Sequence, residues 1–220
     1  MFKLFGKSNK EPSSRDKEGR FWSWFTENEG KLRELYSADP RSVSSAGLFK
    51  ELQKVAAELA YELGRQESGK FELIISADGA YKIFPIVFSL VASSPKIDGW
   101  IITALRPPIG FDMTYSDDHI SLCLGDAAFT VLGAKDHHAV KLLIHIDDAD
   151  MAKSEKYTRA CWILLDAGLG EWVSSQCIAD IEVMSSAPDP ANTHTATEVD
   201  QICRGRMADA GLGDPYAAVN

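Results

Sequence analysis

Residues 112–150 concentrate the side chains best suited to chemistry. They hold eight aspartates and four of the chain's five histidines, against two lysines. His119, His137, His138, His145, Asp147 and Asp148 are candidate ligands, and imidazole with carboxylate suits zinc, manganese or magnesium. An ion held there would make the chain a divalent-metal-dependent hydrolase. The spacing does not follow a known ligand pattern, however: no H-x-x-x-H lies on a helix, and no H-x-H or EF-hand loop occurs. Aspartate is also favoured in turns, where its carboxylate bonds nearby amides. The reading preferred here is therefore a set of acidic turns in a β meander with no cofactor, and the metal is its alternative.

Three further places carry candidate polar chemistry. Asp166 and Glu171 could work as paired carboxylates for acid–base transfer. Structural roles are the plainer reading, with Asp166 bonded to Arg159 or the adjacent sheet and Glu171 at an exposed helix end. Ser76-Ala-Asp78-Gly79 sits between a strand and a helix, where a phosphate-gripping or nucleophile loop could form. It matches neither G-x-G-x-x-G nor the P-loop pattern, so it reads as a turn. Arg106, before Pro107-Pro108, is an anion contact or a surface residue. Ser76, Ser121 and Ser174 lack a G-x-S-x-G context, which removes the hydrolase elbow. Cys123, Cys161, Cys177 and Cys203 form no C-x-x-C, and Cys161 falls in an apolar helical stripe as a small core residue.

The elements that must position these residues follow from periodicity. Phe71–Ala77 alternates as a strand and Asp78-Gly79 ends it. A helix runs from about Phe84, with Pro85 in its first turn, and Pro95 stops it. Gly99–Leu105 is the next strand. A strand–helix–strand order with this length of crossover predicts a parallel pair. Upstream, Phe21–Ser37 has helical spacing, with Trp24 near the apolar stripe and Trp22 off it. Trp22 and Trp24 are the candidate partner-binding residues. Leu48–Gly64 reads as an amphipathic helix that completes a helical hairpin. Downstream, strands are expected at 113–115, 120–122, 128–132 and 139–146. In the last of these His145 shares a face with Lys141, near solvent. A helix over 154–169, a strand over 178–184 and a weaker helix over 198–210 follow. Together these predict an α+β chain, a ferredoxin-like βαβ-containing sandwich with a mixed, mostly antiparallel sheet. The organisation expected is a flexible basic tail over 1–20, one domain over 21–210 and a short tail over 211–220.

Hydrophobic residues make up 45% of the 220 residues and charged ones 25%, ordinary for a globular protein with a full core. A net charge of −9 argues against general nucleic-acid binding. Residues 1–20 run against this trend with six basic and three acidic side chains. Phe2, Leu4 and Phe5 among those lysines could form a short membrane-touching or partner-binding tag. No signal peptide and no membrane span is expected, and the scattered cysteines fit a reduced, cytoplasmic setting.

The ordered markers Phe21-Trp-Ser-Trp-Phe25, Glu72-Leu-Ile-Ile-Ser-Ala-Asp-Gly79, Phe84-Pro85, Ala92-Ser-Ser-Pro95, Gly99-Trp100 and Leu164-Leu-Asp-Ala-Gly-Leu-Gly-Glu171 resemble an uncharacterised bacterial protein family. The resemblance spans residues 21–184. It implies a cytoplasmic α+β unit and brings no catalytic residues. The function expected is thus a non-catalytic protein-binding or regulatory module.

Overall fold

The structure, a computed structural model, describes residues 13–147, 149–150, 153–213 and 215. The Phe2-Leu4-Phe5 tag and Asp148 lie outside the described residues. Packing divides the chain into two compact units, one of residues 1–75 and 85–104, the other of 76–84 and 105–220.

The first unit opens with α1 (Ser14–Ala38). This helix begins seven residues before the periodicity suggested. Ser13 caps it, accepting the Asp16 amide while the Asp16 carboxylate takes the Ser13 N–H. That reciprocal cap makes helix of a stretch whose composition reads as a mobile tail. Phe21, Trp22, Phe25 and Leu32 are buried, and Phe25 meets Trp100 edge to face at 5.0 Å between ring centroids. Trp22 packs inward too, its indole N–H donating to Leu90 O at 2.9 Å. It therefore offers little surface to a partner; Trp24 is half-buried.

The expected second helix is cut short. After α2 (Leu48–Gln53) the chain turns, and β1 (Ala60–Arg65) replaces the remaining helix. Both patterns are written into 48–65, because Tyr61, Leu63 and Arg65 also alternate. The turn at 66–70 decides for the strand: the Gln66 amide donates to Lys70 O, and Gly69 takes φ +82°. β1 neighbours β2 (Phe71–Ser76), which pairs in parallel with β3 (Trp100–Ala104) across α3 (Phe84–Ala92). The crossover expected from the sequence is thus present, in a three-stranded sheet.

In the second unit, β4 (Thr114–Ser116) and β5 (Ser121–Cys123) form a two-stranded antiparallel ribbon. β6 (Ala128–Gly133) pairs antiparallel with β7 (Val140–His145), and β7 pairs in parallel with β8 (Ile178–Met184). The crossover from β7 to β8 carries α4 (Ser154–Leu169) and α5 (Glu171–Cys177), and α6 (Ala196–Asp209) closes the unit. Leu142, Ile144, Cys161, Leu164, Leu165, Val173 and Cys203 belong to one buried cluster. Among the described residues the architecture is mixed α+β in three small sheets. No helix among the described residues is long and apolar enough to cross a membrane.

Candidate functional site: a carboxylate–arginine centre

Four residues singled out by sequence come together in the second unit: Asp78, Arg106, Asp166 and Glu171. The guanidinium of Arg106 lies between the carboxylates, with Nη2 2.8 Å from Asp78 Oδ1 and Nη1 3.2 Å from Asp166 Oδ2. Glu171 Oε2 stands 4.0 Å from Nη1. A planar fork of donors is the group suited to several acceptors at fixed angles.

Glu171 is not at an exposed helix end, as its place after two glycines suggested; it is fully buried. Oε1 accepts the Ala77 and Gly79 amides at 2.9 and 3.2 Å, and Oε2 accepts the Arg106 amide at 3.1 Å. The turn 76–79 therefore does grip an anion through its backbone, but the anion is the chain's own carboxylate. A buried charge is tolerable only when bonded in this way.

The backbone that delivers these amides is unusual. Among the described residues, Asp78 (φ 50°) and Leu105 (φ 61°) are the non-glycine residues with positive φ, and each adjoins an amide that Glu171 holds. Such a conformation costs an L residue about 1–2 kcal/mol. The Asp78 amide bonds Ser76 Oγ, and Leu105 is fully buried.

The run Leu164–Glu171 explains itself locally. A Cβ on Gly168 would lie 2.3 Å from the Phe111 ring, and one on Gly170 would lie 2.9 Å from Pro108. Gly170 also turns the chain at φ +79°, ending α4 so that α5 starts with Glu171. The two segments are laced by backbone bonds, Ile109 N–H to Ala167 O and Glu171 N–H to Arg106 O. Sequence reasoning missed α5. Its trace was Val173 and Cys177, one helical step apart and both buried.

Asp166 bonds neither Arg159 nor the sheet. Besides Arg106 it accepts the Ser174 hydroxyl at 2.7 Å. Burial pushes its carboxyl above the usual range, and Glu171 adds to this, against the lowering by the Ser174 bond and Arg106. With every partner internal, this centre fixes turn 76–79 and loop 105–109 onto α4 and α5.

Asp78 is the member that faces outward, its side chain 71% exposed. It borders an open groove of about 780 Å³ along α4, with Thr158, Arg159, Trp162 and Ile163. Trp162 and Ile163 are 37% and 39% exposed on a helix whose other face is buried core.

The metal candidates do not converge: among the described residues no three His, Cys, Asp or Glu side chains group as an ion would need. His145, expected near solvent, is buried; its ring bonds Thr130 Oγ1 at 3.1 Å and Ser186 O at 2.8 Å. Lys141 on the same strand pairs instead with Asp180 and Glu182. The Asp117 carboxylate accepts the His119 and Ile120 amides, the turn chemistry that favours aspartate there.

Comparison with known proteins finds no matching family model, no similar curated protein and no similar solved structure. The family resemblance drawn from the ordered markers rests on those residues alone.

Proposed function

We propose that the chain is a cytoplasmic, non-catalytic protein-binding module whose contact surface is the outer face of α4 beside Asp78. The observation that carries this is the paired exposure of Trp162 and Ile163 next to a charged corner locked in place by Arg106. Tryptophan gives much contact area for little ordering entropy, and it dominates protein interfaces out of proportion to its number. A rigid support lowers the cost of binding further. Asp78 and Arg159 at the rim would select and orient the partner rather than supply most of the affinity.

The test compares the wild-type chain with the double variant Trp162→Ala, Ile163→Ser as baits in native lysate. Both positions are surface-exposed, so the melting temperature should hold within a few degrees. A partner retained in stoichiometric amount by the wild type and lost by the variant is the expected result. Equal retention by both baits rejects this surface, and retention by neither rejects the module.

A further inference from the structure

The first unit carries a second groove, of about 850 Å³, between α1 and α3. At its floor lies Glu18, only 3% exposed. Oε1 of that carboxylate accepts two hydroxyls, from Ser14 and Ser89, each at 2.9 Å. Oε2 accepts no hydrogen bond from the chain, and it is not sealed from solvent: the little exposure that Glu18 keeps leaves this oxygen open. Water can meet that oxygen, and a ligand with a donor would replace the water there.

Inside the rim, the lining hydroxyls and the Trp22 indole share one polarity. Ser23 donates its hydroxyl proton to Gly19 O, Thr26 to Trp22 O, Ser89 to Glu18, and Ser93 to Leu90 O. The Trp22 indole N–H is also used, on Leu90 O and Ser93 Oγ. What these groups present to the groove is therefore oxygen lone pairs, and their donors point elsewhere. Arg15 and Glu27, both exposed at the rim, offset one another in charge. Trp22, Ala92 and Pro95 supply an apolar wall.

A surface of acceptors around one buried negative charge selects a ligand that has donors, no acceptor and a positive charge. An alkylammonium group has three donors and no lone pair. Its carbon stem would lie on the apolar wall while the head meets Glu18. A carboxylate or phosphate would be repelled, and a neutral hydroxyl would leave the charge unanswered. We infer that the groove between α1 and α3 is a binding site for a primary alkylammonium group, with Glu18 as the counter-ion and Ser89 as its positioning residue.

The site is tested by amide and indole NMR of the full chain, titrated with Nα-acetyl-lysine methylamide and separately with n-butylamine. The neutral control is Nα-acetyl-norleucine methylamide. Saturable shifts of the Trp22 indole and of the Glu18 and Ser89 amides are expected, at least tenfold weaker with the control. Binding of both amines assigns any small primary amine as ligand; binding of the lysine derivative alone assigns a side chain on a polypeptide. Glu18→Gln should weaken binding at least tenfold. Because that variant alters a buried group, Ala92→Lys serves beside it: the position is exposed, and its tethered ammonium should compete for the site. The inference is overturned if neither amine binds, if the norleucine control binds as well as lysine, or if a folded Glu18→Gln or Ala92→Lys chain binds as the wild type does.

Discussion

Glu171 accepts the backbone amide of Ala77 at 2.9 Å, across 94 residues of sequence. One carboxylate thereby organises two segments of the second unit, since it also takes the Gly79 and Arg106 amides. Removing it leaves three backbone donors without their acceptor and takes away one of the three carboxylates around Arg106. Glu171→Ala is expected to cost about 3–5 kcal/mol, the range for breaking a buried charged network from one side. Glu171→Gln should cost somewhat less, because one oxygen survives. Urea unfolding measures both, and a loss below about 1 kcal/mol for the alanine variant would contradict the clamp.

Gly168 offers a test with a sign opposite to propensity. In a free helix, Gly→Ala stabilises by about 1 kcal/mol. Here the new methyl meets the Phe111 ring at 2.3 Å, so Gly168→Ala should destabilise by about 1–3 kcal/mol. Adding Phe111→Ala should recover part of that loss. If Gly168→Ala raises the melting midpoint, the close packing of loop 105–111 on α4 is wrong.

Much of this arrangement was legible in the sequence, and what escaped did so for local reasons. Phe71–Ser76, Trp100–Ala104, Val140–His145 and Ser154–Leu169 declared themselves through unbroken periodicity and clear stops. Residues 48–65 carried two periods at once, and only pairing with β2 settled which one won. Asp78, Arg106, Asp166 and Glu171 were each visible as chemistry, yet no spacing rule links position 78 to 171. Their meeting depends on the α4–α5 break at Gly170, which reads in sequence as a helix end. Burial was the other blind spot. Glu18, Glu171 and His145 are polar residues that sit inside, and a polar letter in a helix or strand pattern is taken by default for a solvated face.

Asp78 stands in the left-handed region at φ 50°, with its exposed side chain paired to Arg106. An exposed pair contributes little, about 0–1 kcal/mol, so backbone conformation should dominate substitutions here. Asp78→Gly relaxes the conformation, whereas Asp78→Ala keeps the Cβ and loses the local polar bonding that lets aspartate tolerate it. The glycine variant should be more stable than the alanine variant by about 1 kcal/mol in urea titrations. The reverse order would place Asp78 outside the left-handed region.

The cysteines divide by accessibility. Cys161, Cys177 and Cys203 are buried, and burial raises the Cys161 thiol to about 12. Cys123 is half-buried at the edge of the β4–β5 ribbon. Thiolate is the reactive form, so a maleimide at pH 7.5 should modify Cys123 first and leave Cys161 untouched until the chain unfolds. Mass spectrometry of quenched time points reads this directly. Early labelling of Cys161 would show that α4 does not hold it in the core.

Asp166 gives the second unit a dependence on pH whose sign can be worked out. Its folded carboxyl is raised above the ordinary 3.8, chiefly by burial. Between 3.8 and the raised value, the folded state therefore binds more protons than the unfolded state. Stability then falls as pH rises through that window, because each increment of pH favours the state with fewer protons. Asn at this position cannot ionise, keeps an acceptor for the Ser174 hydroxyl and loses the charge pairing with Arg106. Asp166→Asn should thus compare least favourably with the wild type near pH 4, and the gap should narrow or reverse by pH 7. Urea midpoints of the two chains at pH 4, 5, 6 and 7 supply the curve. A gap that widens steadily toward pH 7 would mean that pairing with Arg106 outweighs burial, and that the folded carboxyl lies below 3.8 rather than above it.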